Sequence, residues 1–153
     1  GCGSGAEDVA VAVADPRTPA APVLAVVPPL DQPVPDSWRT LEGPFVMVWA
    51  CNTSHSASDA FSAPAAELAD GLFHLMVLDD SISRCRLAHL MLGLEKGEHV
   101  SFRHLNVIRT RAFRIEPDMA RPGKLVCDGE SVEYGLAQCE MHRGMARVLC
   151  LEC

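Results

Sequence analysis

Two stretches of this sequence carry side chains that could do chemistry: Asp128-Gly129-Glu130 and Ser54-His55. In the first, two acids flank a turn glycine. Carboxylate oxygens held at such a tip could bind a magnesium ion through water or orient a phosphoryl donor. The same three residues also read as a plain hairpin turn, and local sequence alone leaves both readings open. In the second stretch a nucleophile stands beside a base. Adjacent side chains on an extended chain point to opposite faces, and no Gly-x-Ser-x-Gly elbow accompanies the pair, so hydrolase chemistry is not expected. Cys150-Leu-Glu-Cys153 has a zinc-gripping spacing, but no second pair completes the four ligands of a structural site. Gly1-Cys-Gly-Ser-Gly5 lacks the strand and helix context that make a glycine-rich loop a phosphate cradle.

The elements that must position these groups can be read from punctuation and period. Residues 1–37 are rich in Ala, Val and Gly and carry seven prolines, at 16, 19, 22, 28, 29, 33 and 35. Prolines at that density break helices and withhold ladder donors, so a linker or loosely docked arm is expected. Val23–Val27 could form one short strand within it. Residues 38–153 read as the folded domain. Phe45–Ala50 and Leu72–Leu78 are continuous β-prone runs, and His74 in the second reads as a satisfied core histidine. A helix follows, started by Asp79-Asp80-Ser81 or by Ser83 and stopped by Gly97. In it Leu87, Leu90, Met91 and Leu94 fall at i, i+3, i+4 and i+7, which makes one face apolar. Period-two spacing then returns at Val100, Phe102, Val107, Phe113 and Ile115. Asp128-Gly129 between Lys124–Cys127 and Ser131–Tyr134 is the strongest hairpin signal in the chain. Met145–Leu151 reads as a last strand. The sum is a mainly β, α+β fold: an antiparallel β-sandwich with one flanking amphipathic helix.

Composition bounds the function. At 153 residues, with 48% apolar and 22% charged residues, the chain is about one domain with a sizeable core. A net charge of −7 disfavours nucleic acid, because no basic stripe is available for phosphates. Arg109, Arg111 and Arg114 form the one basic concentration, expected on the wet face of a strand. No apolar run reaches the roughly 20 residues needed to span a bilayer. The start of the chain lacks the basic and apolar regions of a signal peptide. Seven cysteines, an odd and scattered count, do not make a disulfide framework, and an intracellular protein is expected.

Taken in order, the segments resemble the C-terminal half of the sphingosine kinases, lipid kinases of the diacylglycerol kinase-like superfamily. The resemblance runs over roughly residues 24–149. It begins at Pro29-Leu-Asp-Gln-Pro-Val-Pro-Asp-Ser-Trp38 and passes through Phe45-Val-Met-Val48, Ser54-His55, Ser62-Ala-Pro64, Asp70-Gly-Leu-Phe-His-Leu75 and Ile82-Ser-Arg84. It continues through Leu94-Glu-Lys-Gly-Glu-His99, Arg111-Ala-Phe-Arg-Ile-Glu-Pro117, Val126-Cys-Asp-Gly-Glu130 and Met141-His142. One departure is Ser56-Ala57, where the family has a bulky residue and glycine; another is a shorter stretch between His99 and Ala112.

What the resemblance implies is a β-sandwich with an enclosed lipid pocket, working in a two-domain enzyme. That enzyme phosphorylates sphingosine or dihydrosphingosine to the 1-phosphate with ATP and Mg2+. Met76, Leu78, Leu87, Leu90, Met91, Leu94 and His99 match positions lining the acyl pocket. Asp128, Gly129 and Glu130 match the acidic turn that faces the nucleotide. There Asp128 would hold magnesium through water, Gly129 would let backbone approach the phosphates, and Glu130 would tune the site. The glycine-rich nucleotide loop and its general base belong to the family's N-terminal kinase domain, so the 153 residues alone are expected to be inactive. A cytoplasmic protein, recruited transiently to a membrane surface to collect its sphingoid-base lipid, goes with this. The rival is a non-catalytic lipid-binding or regulatory remnant; a ceramide or diacylglycerol kinase would differ in substrate only.

Overall fold

The computed structural model describes residues 7–13 and 27–145. The strands are β1 (Glu7–Val13), β2 (Arg39–Cys51), β3 (Phe73–Asp79), β4 (Leu105–Thr110), β5 (Ala112–Pro117), β6 (Leu125–Cys127), β7 (Glu130–Val132) and β8 (Ala137–Glu140). The helix α1 spans Arg84–Leu92, and a 3-10 turn follows at Glu98–Ser101. All strand pairs are antiparallel. The main sheet runs β4-β3-β2-β1-β5-β8, and β6-β7 is a separate hairpin. The fold is mainly β with one flanking helix, as the sequence pattern leads one to expect.

The sheet is rolled. β4 and β5 are separated in the chain by Arg111 alone, yet three strands lie between them in the sheet. In a flat sheet they would stand about 19 Å apart. Two strands resolve the conflict by serving both layers. β2 pairs with β1 from Arg39 to Phe45 and with β3 from Phe45 to Cys51, and its register shifts between Phe45 and Met47. A shift of this kind is how a strand turns the corner between packed sheets. The β4–β5 run turns its own corner at Arg111. Across the fold Phe73 of β3 meets Phe113 of β5 edge to face, with ring centres 5.2 Å apart. Val11, Val13, Leu75 and Phe113 form the buried core between the layers.

Alternate residues of β3 face the other way. Met76 and Leu78 join Cys51, Ala63, Ile82, Leu90 and Leu105 in a second core, which α1 covers. Ser83 caps the helix: its hydroxyl accepts the Arg86 amide at 3.3 Å. The helix ends earlier than expected, at Gly93 rather than Gly97. Gly93 turns its N–H back onto the carbonyls of His89 and Leu90. Gly97 instead takes a left-handed φ of 70°, where a Cβ would lie 2.6 Å from Pro64 Cγ. Its role is close approach, not helix termination. Val100 lies in the 3-10 turn and Phe102 is the extended residue that caps it, so neither is part of a strand. The buried His99 anchors that turn by donating its Nε2–H to the Ser62 carbonyl at 2.7 Å.

Two further expectations are corrected. The arm at 1–37 contributes β1, which lies inside the sheet between β2 and β5, with Val11 fully buried. Val9, Val11 and Val13 alternate with alanines and precede the first proline, so a strand forms there unhindered. The prolines act further on. Prolines lack N–H but keep their carbonyls. Arg114 donates to the carbonyls of Pro29 (3.1 Å) and Gln32 (2.7 Å), and Gln138 donates to Pro28 (2.8 Å). Trp38, with Val27 and Val34, packs against Ala12 and Ala112 beside these bonds. Arg114 is therefore buried, not on a wet face. Val23–Val26, Gly1–Gly5, Cys150 and Cys153, and the expected last strand beyond Met145, lie outside the described residues.

His74 is the satisfied core histidine its run suggests, bonded through Nε2 to Asp70 at 3.1 Å. Burial pushes the Asp70 carboxyl up. The His74 ring and the amides of Leu72 and Glu67 outweigh that, so its pKa lies below the ordinary 3.8. A depressed carboxylate contributes stability that is present above the unfolded value and is lost as pH falls through the folded one. Asp70→Asn should therefore be less stable than the parent at pH 6, with the gap closing below about pH 4. Urea unfolding at a series of pH values measures this, and a gap that is constant down to pH 2 contradicts it.

Candidate acidic hairpin and apolar wall

The hairpin has the geometry its sequence demands. Cys127 pairs with Glu130, leaving Asp128 (φ 48°) and Gly129 (φ 88°) as a two-residue loop. Positive φ at both positions is the type I′ form, whose twist matches the strands it joins. Aspartate and glycine are the residues that tolerate it. The tip stands in solvent: Asp128, Gly129 and Glu130 are all exposed. A Cβ at Gly129 would meet nothing within 4 Å. At the hairpin's base, Lys124, Leu125 and Tyr134 border a 190 Å3 cleft against Phe45, Met47 and Ile115.

Among the described residues no group of three or more His, Cys, Asp or Glu side chains is placed to hold a metal. Magnesium keeps several waters and takes one or two carboxylates together with phosphate oxygens. An exposed aspartate with a second carboxylate two residues on fits that ion as one part of a larger donor set.

The seven apolar-wall candidates divide. Met76, Leu78 and Leu90 are buried in one cluster, and Leu87 packs against it half-buried. Leu94 is half-buried on the turn after α1, and its carbonyl accepts the Phe61 amide at 3.0 Å. Met91 is 37% exposed, because the short helix turns only its Leu87 and Leu90 side to the sheet. His99 is buried, and its Nδ1 has no partner among the described residues. None of the seven lines the 190 Å3 cleft or a larger 370 Å3 groove beside α1.

Ser54 and His55 do not point apart as an extended chain would have them. The chain bends there, and Ser54 Oγ lies 3.1 Å from His55 Nδ1. The imidazole stacks on Phe61 with ring centres 4.5 Å apart. No carboxylate bonds that ring among the described residues, so the pair lacks the third member that would orient a base.

Sequence reading missed a basic cluster of Arg86, His89, Arg103 and His104, which lines the 370 Å3 groove. The signal was faint. Arg86 and Arg103 are 17 positions apart in the chain, and only the packing of α1 against the turn before β4 joins them.

An antiparallel β-sandwich is the architecture of a known domain class. Residues 30–150 match the YegS C-terminal NAD kinase beta sandwich-like domain, and the chain belongs to that family. Within it the chain is homologous to sphingosine kinases. It is 44% identical over 126 residues to human sphingosine kinase 2, covering 81% of this chain and 19% of that protein. It is 35% identical over 136 residues to human sphingosine kinase 1, covering 82% and 35%. With sphingosine kinase B of Dictyostelium discoideum the identity is 30% over 115 residues, covering 74% and 15%. The chain thus spans between about a seventh and a third of the length of these relatives. No helix among the described residues is long and apolar enough to cross a membrane.

Proposed function

We propose that this chain is the lipid-binding, C-terminal part of a sphingosine kinase, which transfers the γ-phosphoryl of ATP to the primary hydroxyl of sphingosine or dihydrosphingosine. The observation that carries the reading is the 44% identity to human sphingosine kinase 2 over 126 residues. The nucleotide is held mainly by an N-terminal kinase domain, and Asp128-Gly129-Glu130 faces it from this side. Asp128 would hold a magnesium ion through water, and that ion, when bound, would supply neutralisation of phosphate charge. The open space at Gly129 leaves room for phosphate oxygens to come up to the backbone. Glu130 would add negative charge beside Asp128 and tune the site electrostatically.

On the lipid side, the wall of Met76, Leu78, Leu87 and Leu90, with Met91, Leu94 and His99, takes the alkyl chain. Each buried methylene contributes about 0.8 kcal/mol. The wall is closed in this structure, so lipid uptake requires α1 to move off the sheet. The protein works in the cytoplasm and visits membranes to collect its substrate. Phosphoryl transfer of this kind is chiefly positioning and charge stabilisation, so both halves must close together.

The test is reconstitution. The 153 residues alone should transfer no phosphate from ATP to sphingosine, and fusion to a sphingosine kinase N-terminal domain should restore transfer. In the fusion, Asp128→Asn should lower kcat about tenfold, equivalent to ~1.4 kcal/mol, without changing the melting temperature. Turnover by the chain alone, or a fusion that binds lipid but never phosphorylates it, overturns the proposal.

A further inference from the structure

The 370 Å3 groove beside α1 lies apart from every residue assigned a role above. It is lined by Cys85, Arg86, His89, Phe102, Arg103 and His104. At its floor is His104, almost fully buried. Arg86 Nη1 and Arg103 Nε both lie 3.2 Å from His104 Nε2. A guanidinium can only donate, so that nitrogen carries the lone pair and the ring proton sits on Nδ1. Nδ1 donates to Ser81 Oγ at 2.9 Å, and Ser81 Oγ in turn donates to Asp79. The ring thus accepts from both guanidinium groups through Nε2, and its Nδ1 faces Ser81 Oγ and, at 3.4 Å, the Asp79 carboxylate.

That convergence is electrostatically costly as it stands. Two guanidinium groups share one acceptor nitrogen, and among the described residues no carboxylate pairs with either arginine. Each guanidinium uses a single N–H on His104, which leaves its other donors for a ligand. The first turn of α1, which supplies Cys85 and Arg86, contains no acid to offset the positive end of the helix. Opposite the cations, Phe102 packs on the His89 ring with centres 5.5 Å apart. Leu92, 82% exposed, lies on the stripe of Cys85 and His89 at i, i+4 and i+7. The groove lining thus combines two arginines with the apolar surface of Phe102.

We propose that this groove binds the phosphate group of a phosphomonoester that carries an organic tail. Two guanidinium forks match the several oxygens of a phosphate better than a single carboxylate. The groove volume suits a headgroup-sized ligand. The inference does not depend on the kinase reading.

Calorimetric titration of the full chain with inorganic phosphate and with glycerol 3-phosphate tests it. Co-sedimentation with phosphatidylcholine vesicles, with and without about one-fifth phosphatidic acid, distinguishes a lipid source from a free one. Arg86→Gln and Arg103→Gln each weaken binding about tenfold, the size of a lost charge-assisted bond. Both side chains are exposed, so the variants should melt with the parent. Arg84→Gln, on the same helix but outside the groove, changes binding less than about twofold, as a screened surface charge should. Binding to vesicles with phosphatidic acid that the two groove variants weaken assigns the site to a lipid headgroup. Binding of the soluble phosphates alone assigns it to a free phosphate. Absence of binding to every probe, or binding that neither groove variant weakens, overturns the proposal.

Discussion

Arg114→Met should lower the stability of the fold by about 3 kcal/mol, read from urea unfolding midpoints at constant slope. The guanidinium is almost completely buried. It bonds the Gln138 side chain at 2.7 Å and the carbonyls of Gln32 and Pro29 at 2.7 and 3.1 Å. Charge-assisted bonds contribute roughly 1.5–3 kcal/mol each. The gross attraction of three such bonds is offset by the several kcal/mol needed to take the cation out of water. What decides the sign is the state of the variant. Methionine fills the volume but leaves two carbonyls and an amide oxygen facing it without a donor. The residues from Pro28 to Trp38 then lose their polar tie to β5 and keep the Gln138 bond to the Pro28 carbonyl and the contacts of Trp38, Val27 and Val34. Proteolysis near Gln32 should speed up in step. A midpoint shift worth less than about 1 kcal/mol would show that the segment is held without Arg114, by its apolar contacts and the Gln138 bond.

Leu90→Ala should cost a similar amount, about 3 kcal/mol, and it bears directly on the apolar wall. Leu90 is 1% exposed and packs with Met76, Leu78, Ile82 and Leu105. Removing its isobutyl group in a closed core gives up transfer energy and leaves a cavity, for which losses of 2–5 kcal/mol are usual. The variant that separates wall from filler is Leu90→Phe. If an alkyl chain must enter between α1 and the sheet, the larger ring should weaken sphingosine binding to the fusion enzyme more than Leu90→Ala does. Equal lipid binding by both variants would make Leu90 a core residue with no part in recognition.

The elements readable from sequence were those fixed locally. Asp128-Gly129 specifies its hairpin because so few residues accept two successive positive φ values. The Ser83 cap and the His74 run were legible for the same kind of reason. Proline density in residues 1–37 misled, because the strand at Glu7–Val13 ends before the first proline and its order depends on two distant partners. Arg114 was misread because an arginine on a strand is normally solvated. Only the segment crossing above it supplies the carbonyls that permit burial. The groove at His104 was invisible for a related reason: its two arginines come from elements that tertiary packing alone brings together. Of the candidate site residues, sequence could place the hairpin tip. It could not say that Met91 would face solvent or that Leu94 would fall outside the helix.

The position of β1 bears on how the protein is made. Val13 pairs with Arg39 on one side and with Phe113 on the other, so β1 waits until β2, β3 and β4 have been made before its second neighbour, β5, leaves the ribosome. Contacts this distant in sequence close slowly. Until then a valine-rich strand offers a bare edge to any other nascent chain. Biosynthesis of this domain is thus exposed to aggregation in the interval between the first turn of the sheet and the arrival of β5.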